Sequence, residues 1–254
     1  MSRVQQTHNQ DPETSDSGWQ GLCRIGGISA LLQLVCSLIT MVVLTAVGGE
    51  PGTVEEYFTL LQEDRLLGLV RMDFPSMISV ALYSLTLLGL FAALRRRQAA
   101  YMALAAALGL VGIVLWLGSH SAFSMLTLSN QYAAAASDLE RSQLLAAGQA
   151  VIASDMWHST AAAMSGIFLQ GALTIASVLM LRSSVFGRAT AWVGIIAHGL
   201  DLAHILMLIF GQGIGFYLMW VAGPLYPVWF ILIARRLLQL STVREGASAP
   251  STAG

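Results

Sequence analysis

An all-α bundle of six membrane-crossing helices is the fold class this sequence predicts, and three observations predict it. Of 254 residues, 56% are apolar and only 11% are charged, against about 25% charged in a soluble domain. Mean hydropathy is +0.67, more apolar surface than a core of this size can hide, so the excess must face lipid. The arginines, finally, collect in alternate connecting segments. All 13 basic side chains are arginine and none is lysine, which carries no functional weight.

Six stretches reach the roughly 20 apolar residues that a crossing needs. They are Ile25 to Val47, Phe74 to Leu94 (the span beginning at about residue 72), Tyr101 to Leu128, Met156 to Leu181, Ala189 to Phe210, and Ile214 to Ala234. Lipid offers the backbone no hydrogen-bond partner, so each must be a helix. Residues 21–240 then form one membrane domain. The polar stretches 1–20 and 241–254 read as disordered tails, and the first has no apolar stretch of the kind a secretory leader carries.

With the N-terminus inside, the inner segments hold Arg3, Arg24, Arg95, Arg96, Arg97, Arg182, Arg188, Arg235, Arg236 and Arg244. The outer ones hold only Arg65, Arg71 and Arg141, with most of the acids. This positive-inside bias predicts a cell-membrane protein with both termini cytoplasmic.

Two outer segments predict amphipathic surface helices. Thr53 with Glu56 forms a capping box, followed by an apolar stripe of Val54, Tyr57, Phe58 and Leu61. Ser137 with Glu140 repeats it, ahead of Leu144, Leu145, Gly148, Val151 and Ile152. Both are expected on the outer membrane surface or across the bundle mouth, with an interfacial anchor favoured over a substrate lid. In the last span, Pro224 and Pro227 remove two donors and predict a kink. Small residues at Gly26–Gly27, Gly109, Gly112 and Gly166 predict close helix packing.

Ionisable groups inside spans are costly and are the candidate functional residues. His198, Asp201 and His204 fall within an arc of about 120° on the fifth span, where Asp201 can reach either imidazole. Arg71, Asp73, His120, Asp155 and His158 lie towards the outer side, and Asp73 needs a partner, with His120 or His158 available. Six residues apart, His198 and His204 are badly spaced to grip one metal from a single helix. A site across helices would draw on Asp73, His120, His158 and His204. Cys23 and Cys36 are 13 residues apart, roughly 20 Å along one helix, too far for a disulfide. No phosphate loop, dinucleotide fingerprint, nucleophile elbow or nucleic-acid surface is present, and no cofactor is evident from motifs.

The segment from Ser154 to Ala203 resembles a bacterial integral-membrane family of unknown function. The matching positions are Asp155, His158, Phe168, Gly171, Arg182, Phe186, Arg188, Trp192, Gly194 and Asp201, and the stretch from Leu69 to Arg95 is similar to that family's second span, with Arg71 at a recurrent arginine. The likeness covers roughly residues 21–240. It implies the same span count, singles out Arg71, His158 and Asp201, and implies no activity. His198 and His204 are not among the positions it carries over.

The leading expectation is a non-enzymatic protein that binds or passes a small solute, proton or lipid through an outward-facing polar cavity. A metal-dependent intramembrane hydrolase is one alternative. A structural or regulatory protein, using the polar groups as interhelical glue towards a membrane partner or a second copy, is the other.

Overall fold

A computed structural model describes residues 12–48, 51–156, 158–207 and 212–242, and all its regular structure among these is helical. Helix α1 spans Pro12–Val42 and closes through a π-helical turn at Val43–Val47, ending on Gly48 at φ 97°, a left-handed backbone that glycine adopts without strain. The chain is therefore helical from Pro12, inside the stretch expected to be a disordered tail. The reason is that the polar run Pro12–Gln20 continues into the apolar helix without a glycine–proline break.

α2 (Val54–Glu63) and α3 (Arg65–Arg71) follow, then α4 (Phe74–Gly118). At 45 residues, α4 would be about 68 Å long if straight, over twice the hydrocarbon thickness of about 30 Å. It is not straight. Gln98 has φ −143° and ψ 42°, outside helical values, and the Leu87 side chain lies against Gly109, each eleven residues from the break. α4 is thus two antiparallel arms, residues 74–97 and 99–118. Three successive arginines, Arg95 to Arg97, precede the break, and the Gln98 amide donates to the Leu179 carbonyl at 3.3 Å.

The third expected span, Tyr101 to Leu128, is interrupted. Its helix stops at Gly118, His120 lies in the turn, and α5 runs Ala122–Ala134. α6 (Asp138–Ala153), α7 (Thr160–Leu181), α8 (Arg188–Met207), α9 (Gln212–Ala222) and α10 (Leu225–Thr242) complete the described fold. The expected kink falls at Gly223–Pro224, between α9 and α10, and α10 continues eight residues past Ala234 to Thr242. The end of the fifth expected span, 208–210, lies outside the described residues.

Five helical stretches are long and apolar enough to cross a membrane, counting residues 74–134 as one. Within their most apolar windows only 18 to 44% is buried. Ile28, Leu32 and Val35 on α1, Val114 on α4 and Trp220 on α9 are all exposed, a surface that water would not tolerate and lipid would.

Two cores result. The larger joins α1, α4, α7, α8 and α10 through residues such as Leu87, Leu90, Met102, Leu173, Trp229 and Phe230. Close approach comes from small residues: a Cβ on Gly26 would stand 2.8 Å from the Gly89 Cα, and one on Gly112 2.7 Å from the Leu169 nitrogen. The smaller core is a cap of α2, α3, α5 and α6. Here the predicted stripe Val54, Tyr57, Phe58 and Leu61 is buried against Met72, Ala122 and Met125, and Gly148 of α6 packs on Val54 and Phe58. The α2 stripe, expected on the outer membrane surface or across the bundle mouth with an anchor favoured, faces protein. Amphipathicity demands an apolar neighbour without saying whether it is lipid or a helix.

The two ends of the main bundle differ in charge. At one, the Arg95 guanidinium sits 4.1 Å over the Trp19 ring of α1, and Arg236 of α10 donates to the Val185 carbonyl in the α7–α8 turn. At the other, Thr40 of α1 donates to Asp73 beside the cap.

Candidate functional site

The helix period puts His198, Asp201 and His204 on one face of α8, and α8 is clamped between α7 and α10. Gly194 sets that packing, since a Cβ there would collide with the Ser177 hydroxyl of α7 and the Trp229 indole of α10. Asp201 is thereby brought to two donors from different helices. Gln170 Nε2 of α7 donates to its Oδ2 at 2.6 Å, and the Tyr226 hydroxyl of α10 donates to the same oxygen at 2.7 Å. The other end of the Gln170 side chain meets His198, with Oε1 and Nδ1 2.8 Å apart. Tyr226, Asp201, Gln170 and His198 thus form one continuous hydrogen-bonded chain across three helices.

The expectation that Asp201 reaches an imidazole directly is corrected here. Its bonds go to Gln170 and Tyr226, and Gln170 stands between it and His198. Residues three apart on a helix are near each other, but donors on facing helices approach the carboxylate head-on. His198 itself is fully buried in an aromatic box, edge-on to Trp229, Tyr226 and Tyr83 at centroid distances of 4.5, 5.1 and 6.5 Å. Its Nε2 has no hydrogen-bond partner. His204 lies within electrostatic reach of Asp201, with its unpartnered Nδ1 turned to Gly215 of α9.

The remaining candidates lie nearer the cap, where His120 is within electrostatic reach of Asp155. Asp73 takes the N-cap position of α4 with a left-handed backbone, φ 57° and ψ 33°, and accepts from Thr40 Oγ1 at 3.2 Å. Aspartate is among the few residues that tolerate this region. The expected pairing of Asp73 with His120 is met through the Asp73 backbone, beside which His120 lies. His120 stacks edge-on with Trp116 at 5.4 Å, accepts from the Ala122 N–H, and lies against the Asp73 backbone. Asp155, buried at 5% exposure, bonds both the His158 backbone N–H and its Nδ1, the latter at 2.9 Å. Arg71 lines a shallow open groove of about 470 Å³ with Glu55, Glu56 and Glu63. Among the described residues, no three histidine, cysteine or carboxylate side chains converge well enough to hold a metal ion.

Gln170, Tyr226, Tyr83 and Trp229 were not candidates from sequence. Gln170 did carry a signal, an amide in the middle of a 22-residue apolar helix, and a polar side chain at that depth calls for a partner. No family model, curated protein sequence or solved structure matches the chain.

Proposed function

We propose that the chain crosses a bacterial cytoplasmic membrane six times, both termini inside, and handles protons at Asp201, alone or together with a small solute. The count takes the two arms of α4 as separate crossings, which the fold-back at Gln98 supports. The orientation rests on the arginine-bearing turns around Arg95 and Val185 gathering at one end with Trp19 and Arg236. α2 and α6 then belong to an outer cap.

One observation carries the functional reading. Asp201 is a carboxylate within a crossing, bonded to two neutral donors and, among the described residues, to no arginine. A carboxylate bonded to neutral groups can take up and release a proton without breaking an ion pair. It lies thirteen residues from Arg188, about 20 Å along α8, in the half of the bilayer towards the cap, which supports access from outside.

The test uses purified protein in vesicles containing a trapped pH-sensitive dye. After an imposed pH step, the wild type should equilibrate faster than protein-free vesicles, and Asp201→Asn should match the protein-free rate while keeping the wild-type elution volume. Equal rates for wild type and Asp201→Asn overturn the reading, as does a wild type no faster than bare lipid.

A further inference from the structure

We infer that Gln170 holds His198 as the Nδ1–H tautomer, so that its buried Nε2 is a second proton-accepting atom whose counter-ion is Asp201. The inference rests on the proposed proton handling and deepens it. An ionised carboxylate only accepts hydrogen bonds, so the Gln170 group facing Asp201 Oδ2 must be the amide nitrogen. The amide oxygen therefore faces His198, and oxygen only accepts, so the proton between them belongs to Nδ1. A neutral imidazole carries one ring proton, which leaves Nε2 as a lone pair, buried and without a partner. The state of Asp201 is thus transmitted through one amide to the tautomer of a residue one helical turn away.

In the doubly protonated ring the added proton sits on the Nε2 lone pair, while Nδ1 keeps its hydrogen and its bond to Gln170. The imidazolium would lie between the Trp229 and Tyr226 rings, at centroid distances of 4.5 and 5.1 Å. It would also face the Asp201 negative charge across the Gln170 amide. The titratable groups around it are Asp201 and His204 on its own helix, Tyr83 on α4 and Tyr226 on α10; α7 has none within its length. The arginines of α4 and α10 belong to the basic end of the bundle. Gln170 bonds both His198 and Asp201 and so links the two side chains.

Nitrogen-15 NMR of histidine-labelled protein in lipid tests this, the His198 signal being assigned by its loss in His198→Gln. Wild type should show a neutral, Nδ1-protonated ring at alkaline pH, and both nitrogens protonated on acidification. Gln170→Met should lose the single tautomer and give both. Gln170→Glu, whose oxygens can still accept from Nδ1, should restore it. A wild-type ring protonated on Nε2 at alkaline pH overturns the proposal, as does a His198 that never takes a second proton while the chain stays folded, or an unchanged tautomer in Gln170→Met. None of these readings requires flux. Vesicles that pass no protons would therefore sink the proposed function on their own evidence, and a wrong tautomer would sink only the role given to His198.

Discussion

Gly26 and Gly89 meet backbone to backbone, a Cβ on Gly89 standing 2.9 Å from the Gly26 Cα, so neither can gain a side chain unless α1 and α4 separate. Gly89→Val should destabilise the bundle by about 1–3 kcal/mol, the range for overpacking a filled interface, read as a lower denaturant midpoint in detergent micelles; a midpoint equal to wild type would show that the helices are not that close. The same interface buries a polar pair, Gln33 Nε2 donating to Thr86 Oγ1 at 2.6 Å. Interhelical bonds of this kind average only about 0.6 kcal/mol in membranes, so shape outweighs polarity at this seam. At this scale sequence spoke unevenly. Asp201 stood out as a charge in an apolar run, and the glycines stood out as small. The partners of Asp201 did not, because spacing along α8 reveals neighbours on α8 alone. Gln170 and Tyr226 arrive from α7 and α10, whose rotations are decided by packing around Gly194, Ser177 and Trp229.

At the scale of elements, α2 and α6 begin alike. Thr53 Oγ1 accepts from the Glu56 N–H at 3.2 Å and Glu56 reaches back to the Gly52 N–H at 2.8 Å. Ser137 accepts from the Glu140 N–H at 3.2 Å and Glu140 reaches the Ala136 N–H at 3.0 Å. In both, the glutamate caps the residue before the N-cap, one position earlier than the reciprocal bond of a capping box. Thr53→Ala should cost about 1 kcal/mol of local stability. Amide exchange at Tyr57 and Phe58 should quicken, while exchange around Asp201 keeps its wild-type rate; equal change at both would show that cap and bundle unfold together. The starts of α2 and α6 and the α2 stripe were legible because capping and periodicity are local. The burial of that stripe on α5 was not, and neither was the break at Ser119–Ser121, which has no proline to announce it.

For the whole molecule, the arginine asymmetry and the cap predict sidedness. With Cys23 and Cys36 replaced, a cysteine at Leu139, 71% exposed on α6, should react with a membrane-impermeant thiol reagent on intact cells. One at Gln98 should react only after the cells are opened. The reverse pattern would invert the orientation. Membrane class was legible because composition reports the surrounding solvent directly. The fold-back at Gln98 was legible only as a run of arginines between two apolar stretches, and its tightness was not. That tightness bears on how the chain is made. On the proposed six-crossing reading, with one side of the turn packed against the other at Leu87 and Gly109, the pair would suit entry into the bilayer as a closed couple during synthesis. A ribosome halted shortly after Gln98 would leave the first half of that couple without its mate.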